Sequence, residues 1–136
     1  EIAADMPDED GFTKLDYETY RKENLEASYT NPDSYFIALE NGNYIGVSVL
    51  FKFKQNKDLY TGLTGVRRPY RRRGIATCLK VKAIEYAKKH NFAKIGTDNQ
   101  STNKPMRDLN DKLGFKKQYD WICYKKVIRQ ENATEK

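Results

Sequence analysis

Thr61-Gly-Leu-Thr-Gly-Val66-Arg-Arg-Pro-Tyr-Arg71-Arg-Arg-Gly74-Ile-Ala76 is the stretch on which the rest of the chain is arranged. A short strand-like run ends at Val66, five arginines crowd the next seven residues, and Gly74 opens a long helical pattern. Strand, basic turn, glycine and helix together leave several backbone N–H groups free at a helix N-terminus. Those donors and the positive end of the helix dipole favour phosphate. Pro69 fixes its own φ and pushes Arg68 towards extended geometry, so the turn is punctuated before the helix begins.

Downstream the apolar period changes from two to about 3.6. Ile75, Leu79, Ala83, Tyr86 and Ala87 fall on one face of a helix expected over 74–90. Lys82 falls near the same face and has to snorkel. His90-Asn91 ends the helix, with Lys88 and Lys89 suited to its negative pole, so His90 reads as a helix-end residue rather than a catalyst. Residues 93–99 form a short strand around Phe92, Ile95 and Thr97, and a strand–helix–strand unit of this spacing is a parallel crossover. Ser101-Thr102-Asn103 offers caps for a further helix, with Pro105 tolerated in its first turn and Met106, Leu109 and Leu113 as apolar positions. Gly114 stops that helix. Phe115 and the run 121–127 are expected to supply one or two last strands, and 129–136 is a charged tail.

Upstream, residues 34–40 alternate around Tyr35, Ile37 and Leu39. Asn41-Gly42-Asn43 is a hairpin turn, because Asn and Gly accept positive φ at little cost. Residues 44–53 form the partner strand, with Tyr44, Val47, Val49 and Phe51. A second turn lies at 55–58 and a third strand at 59–66, making an antiparallel meander. Before the meander, Asp16 is an N-cap for a helix with Tyr17, Tyr20 and Leu25 as its apolar stripe, ended by Asn31-Pro32-Asp33. Residues 1–12 read as irregular loop. The sequence thus predicts an α+β fold: a meander, then a βαβ crossover, giving a central mixed sheet flanked by helices.

At 136 residues the chain suits one domain, taken as 1–128 with 1–15 irregular. No apolar run approaches the ~20 residues of a membrane span, and the acidic start is not a signal peptide. Cys78, Cys123 and the single His90 form neither a disulfide framework nor a metal set, so no metal and a cytoplasmic setting are expected. Charge is unevenly spread. Residues 1–50 hold 11 acids and 3 bases, net −8, and residues 51–136 hold 22 bases and 8 acids, net +14. So acidic a first third argues against a uniformly basic nucleic-acid binder. It suits a basic half gripping a polyanion and an acidic part facing a cation, or simply an uneven solvated surface.

Arg71-x-x-Gly74-x-Ala76, placed between strand and helix, resembles the Gln/Arg-x-x-Gly-x-Gly/Ala signature of the GNAT superfamily of acyl-CoA-dependent N-acyltransferases. Asn103 followed by Leu113-Gly114-Phe115 resembles the second motif of that family. The match spans about residues 34–128 and is strongest over 59–115. The resemblance implies acetyl-CoA as co-substrate and direct transfer in a ternary complex to a primary amine of a small, cationic molecule or a peptide. It also implies that the strand ending at Val66 splays from the one ending near Asn99. The pantetheine arm would pair with backbone around Thr64, Gly65 and Val66 and touch Asn103. The amides of Arg71, Arg72, Arg73, Gly74, Ile75 and Ala76 would hold the pyrophosphate. Arg67, Arg68, Arg72 and Arg73 either assist or are simply solvated, and the residues do not say which.

Three departures from the family pattern stand out. Its opening strand and helix have no counterpart in residues 1–12, and the chain starts at Glu1. That piece then lies upstream in a longer parent chain, as in mycothiol-synthase-like acyltransferases whose C-terminal domain this chain resembles, or comes from a second copy in a homodimer. The tyrosine that often serves the family as general acid is Asn110 here, and an amide cannot release a proton near neutral pH. A base is not evident either. Asp98 is the best placed carboxylate, and its alternative role is capping the turn beside Asn99. Tyr119 and Tyr124 are further candidates, also readable as core or rim residues. Cys78 fits packing better than nucleophilic catalysis. The rival functions are a non-catalytic acyl-CoA-binding module, half of a two-domain acyltransferase and, last, a nucleic-acid binder.

Overall fold

The computed structural model describes residues 2–5, 15–52, 58–122, 124 and 126. Strands β1 (Tyr35–Glu40), β2 (Asn43–Lys52), β3 (Asp58–Val66) and β4 (Lys94–Gly96) form one sheet in the order β1-β2-β3-β4. The first three are antiparallel, and β4 runs parallel to β3. Helix α2 (Ile75–Lys89) makes the crossover between β3 and β4, and α3 (Lys104–Lys112) follows β4. This is the mixed α+β architecture the patterning predicts. The hairpin at Asn41-Gly42 has φ of 48° and 78°, the positive values that a tight β1–β2 turn needs.

The core lies between the sheet and α2. Leu50, Leu59, Ala83 and Ala87 are buried together, with Phe36, Tyr86, Phe92 and Ile95 packed around them. Phe36 corrects the strand register. The alternation was expected to bury Tyr35, Ile37 and Leu39, yet Ile37 and Leu39 are 45% and 59% exposed. A one-residue phase decides which face meets α2, and the aromatic ring of Phe36 takes it.

The first helix is also shorter than its pattern suggests. Asp16 caps α1 (Tyr17–Tyr20), its carboxylate accepting from the Thr19 amide at 3.1 Å, and a π-helical turn continues over Arg21–Leu25. Its expected stripe of Tyr17, Tyr20 and Leu25 is exposed. The segment is tied to the sheet further along instead. Tyr29 meets Phe51 edge-on at 5.1 Å, and the Tyr35 phenol donates to the Asn24 carbonyl at 2.8 Å.

Three more expectations change. Residues 3–5 form a 3-10 turn rather than loop, and the crossover's return strand is three residues rather than seven. No strand follows Phe115 among the described residues; Tyr119, Trp121, Ile122 and Tyr124 are exposed. Phe53, the 55–57 part of the second turn, Cys123 and the 129–136 tail lie outside the described residues.

Candidate functional site

Beyond Val66 the chain turns through the 3-10 segment Arg68–Tyr70, with Pro69 inside it, and enters α2 through two left-handed residues, Arg72 (φ 65°) and Gly74 (φ 78°). Gly74 is the N-cap of α2 and has no side chain with which to cap it. The first-turn amides of this 15-residue helix therefore point outward without a side-chain acceptor, at the positive end of its dipole. Residues in left-handed geometry next to such a turn create an anion-binding concavity.

The arginines divide sharply. Arg68 donates through Nε to Asp5 at 2.7 Å, and Arg71 reaches the other oxygen of Asp5 at 2.8 Å while donating through Nε to the Val66 carbonyl at 2.9 Å. The Arg68 hydrogen bond, ahead of both arginine charges, holds the Asp5 carboxyl below its ordinary range. Arg73 grips Glu40 with both terminal nitrogens and lies over the Tyr70 ring at 5.6 Å, and its hydrogen bond lowers the Glu40 pKa. Arg67 reaches the Tyr44 carbonyl at 3.5 Å. Arg72 makes no such pair among the described residues. Two acids from the acidic half thus pair with three of the loop's five arginines. Asp5 and Glu40 were not singled out in the sequence, because their partners are distant along it.

Below the loop, the sheet opens. β3 and β4 pair from Asp58↔Lys94 to Tyr60↔Gly96 and then part, while β3 continues through Thr64, Gly65 and Val66. The register against β2 slips at Gly62, which has no cross-strand partner. A Cβ there would lie 2.1 Å from the Phe51 ring, so only glycine lets the bulge form. Thr64 is anchored by its hydroxyl to Ser48 at 2.8 Å, and Ile2 covers Gly65 on the face away from α2.

Asp98 stands just past β4, at the closed end of this opening. The Tyr60 phenol donates a short hydrogen bond to its Oδ2. Burial first, then the Asp98 hydrogen bond and charge, push the Tyr60 pKa above its ordinary value, with a smaller effect from Tyr119. The phenol therefore stays protonated and fixes the carboxylate's direction. Gly96 lies beneath the Tyr60 ring, where a Cβ would come within 3.2 Å of it. An exposed carboxylate oriented by a phenol can accept a proton from a bound amine. Tyr60 was missed in the sequence, although its partnership with Asp98 follows from the strand pairing.

Asn103 caps α3, its Oδ1 accepting from the Met106 amide at 3.4 Å. Asn110 is 6% exposed, and its Oδ1 has no hydrogen-bond partner. Cys78 is exposed rather than packed. His90 is the C-cap of α2 and stacks on Tyr86 at 4.3 Å. Lys82 does not snorkel over the core; it is exposed and pairs with Glu85 at 2.8 Å. The buried lysine of α2 is Lys80. Its spacing to Ala76, Ala83 and Ala87, at +4, −3 and −7, is the signal that was there to be read.

Among the described residues, no helix is long and apolar enough to cross a membrane. No curated protein matches the chain in sequence. Among solved structures, an aminoglycoside acetyltransferase from an uncultured soil metagenomic sample is 26% identical, with a TM-score of 0.63 over 84% of this chain and 77% of that one. The aminoglycoside N-acetyltransferase AAC(6')-Iy, in complex with a CoA-linked bisubstrate analogue, is 20% identical, with a TM-score of 0.63 over 81% and 78%. The ribosomal-protein-S18-alanine N-acetyltransferase from Escherichia coli shares the fold at 16% identity and a TM-score of 0.63, over 79% and 64%. The sequence profile of the Acetyltransferase (GNAT) family matches residues 2–115, and the chain belongs to that family.

Proposed function

We propose that the protein transfers an acetyl group from acetyl-CoA to a primary amine of a small, cationic molecule or peptide, directly and without a covalent enzyme intermediate. The uncapped N-terminus of α2, set beside the β3–β4 opening, carries this reading. The amides of residues 71–76 would hold the pyrophosphate, helped by Arg72, which makes no ion pair among the described residues. Backbone of Thr64 and Gly65 would take the pantetheine arm as though it were another strand, with Asn103 beside it. The Val66 carbonyl is less available, since Arg71 already donates to it. Structural neighbours bound to CoA or named for acetylating aminoglycosides support the co-substrate and a cationic acceptor.

Asp98 is the base in this reading. A primary amine with a pKa near ~10 is mostly protonated at neutral pH, so a group must accept protons before and during attack. Asp98, oriented by Tyr60, is placed to do so. The competing reading, a coenzyme-binding module without catalysis, draws on Asn110, a side chain that cannot donate a proton to sulfur.

Acetyl-CoA mixed with a panel of aminoglycosides, polyamines and peptides should give thiol release with at least one acceptor. Asp98→Asn should lower kcat by roughly 10²-fold or more while leaving the KM for acetyl-CoA within a few-fold. Tight coenzyme binding with no thiol release from any acceptor would select the binding module instead.

A further inference from the structure

At the C-terminal end of α2 the helix, the sheet and the chain before β1 enclose a cavity of about 270 Å³. Leu50 and Leu59, both buried, line it with aliphatic surface, and Tyr29, Tyr86 and Phe92 give it aromatic walls. These walls are held from behind. The Tyr29 phenol donates to the Glu23 carbonyl at 2.6 Å, and its ring meets Phe51 edge-on. The Lys52 amide donates to the Tyr29 carbonyl at 2.9 Å, which ties that wall to β2. Buried Ser34 directs its hydroxyl at the backbone carbonyls of Asn31 and Leu50, at 2.6 and 2.7 Å. Phe92 stacks on Tyr86 with ring centres 6.2 Å apart.

Three other polar groups on the lining are donors without an acceptor among the described residues. The Lys52 ammonium lies 5.7 Å from the centre of the Phe92 ring, and no ion pair among the described residues involves it. The His90 imidazole lies against Tyr86 and makes no hydrogen bond among those residues. The Tyr86 phenol accepts from Asn31 Nδ2 at 3.4 Å, which leaves its own proton to give. Burial first, and the charge of exposed Asp33 after it, raise the Tyr86 pKa against a smaller effect of the Asn31 hydrogen bond. The phenol therefore keeps that proton at neutral pH.

An apolar, aromatic cavity with a few convergent polar groups is the common form of a small-molecule site. Here those groups are donors and one is a cation, so their complement is an acceptor with negative charge. We propose that this cavity is a second ligand site, which takes a small aromatic carboxylate. The ring lies among Tyr29, Tyr86 and Phe92, and the carboxylate accepts from the Lys52 ammonium and the Tyr86 hydroxyl. His90 offers a further N–H beside them. The volume suits a single ring, being below the range of about 300 Å³ and above that drug-sized ligands occupy. The site is also separate from the one proposed for the coenzyme. α2 is 15 residues long, so about 22 Å lies between its two ends. Leu59 lines the cavity, whereas Tyr60, next along β3, points to the opposite face of the sheet and holds Asp98 there.

Phenylacetate is the probe, with phenethyl alcohol and phenethylamine as its neutral and cationic counterparts. Calorimetry on the full chain should show phenylacetate binding about tenfold or more tightly than phenethyl alcohol, with phenethylamine weaker still. Saturating coenzyme A should leave that affinity within about twofold, because the two sites lie at opposite ends of α2. Lys52→Gln, at an exposed position, should weaken phenylacetate about tenfold and leave phenethyl alcohol unchanged. Tyr86→Phe should weaken it a few-fold, and thermal melts of both unliganded variants check that the fold is kept. Phenethylamine binding as tightly as phenylacetate, displacement of the probe by coenzyme A, or equal affinity in wild type and Lys52→Gln each overturns the proposal. So does the absence of binding with the probe at about 10 mM. None of these results depends on whether the chain transfers an acyl group.

Discussion

The two ends of α2 are finished in opposite ways. At the C-terminal end the carbonyls of Tyr86, Ala87 and Lys88 all receive backbone donors. Asn91 adopts the left-handed conformation (φ 56°) and its amide donates to the Lys88 carbonyl at 3.2 Å; the Phe92 amide reaches back to Ala87 at 3.0 Å. Phe92 then packs with Tyr86 against the core. At the N-terminal end Gly74 is equally left-handed, yet no side chain caps the first turn, and Arg72 makes no ion pair among the described residues. The same backbone device closes a helix at one end and leaves donors open at the other. What differs is whether the following residue folds back, and in the proposed reading the donors left open are those that take the coenzyme.

The largest effect expected lies between the ends, at Lys80. Burial depresses it to about 8 from an ordinary 10.5, so the folded chain loses this proton first and the unfolded chain binds more protons between those values. Stability therefore rises with pH across that window: the cost of the buried charge is fully present below about 8 and disappears as pH approaches 10.5. The span corresponds to roughly 3 kcal/mol. Urea unfolding of wild type and Lys80→Met at neutral and alkaline pH should show the variant ahead at neutral pH and the gap narrowing as pH rises. Parallel curves would mean that Lys80 is not desolvated.

Gly74 comes next and tests the open end directly. No atom lies within 4 Å of the place its Cβ would occupy, so Gly74→Ala introduces backbone strain alone, about 1–2 kcal/mol. If the amides of this turn hold the pyrophosphate, the same change should weaken coenzyme A binding about tenfold or more by calorimetry. Gly74→Asn, which tolerates the left-handed region better, should recover part of both losses.

How much of this was legible in the sequence follows from the range of the interactions. The strand–loop–helix order, the Asn41-Gly42 hairpin, the Asp16 and Asn103 caps and the helix stop at Gly114 are local, each set within a few residues, and each was readable. The phase of β1 was not, because Phe36 and Ile37 differ only in which side of the sheet α2 lies, and that is a tertiary fact. The same holds for Asp5 on Arg68 and Arg71, and for Tyr60 on Asp98, which join segments far apart in sequence. Lys80 is different. Its helical position was readable, and the charge of the side chain hid it.

The loop's arginines sharpen the contrast further. Arg72, unpaired among the described residues, should matter more to coenzyme A than Arg68, which is held by Asp5. Arg72→Ala should raise the dissociation constant about tenfold at low salt, an effect that added salt erodes, and Arg68→Ala should change it only a few-fold.

The smallest effect belongs to the closed end, and it is the control for the others. Asn91 stands in the left-handed region to satisfy the last carbonyls of α2, so Asn91→Ala should cost about 1 kcal/mol and Asn91→Gly almost nothing. Neither should alter coenzyme A affinity, because the donors affected already have partners within the chain. Thermal melts and calorimetry on the same samples separate the two readouts. A loss of affinity in Asn91→Ala would mean that strain at one end of α2 reaches the amides at the other. The helix would then have to be treated as a single rigid element rather than one whose two ends act independently.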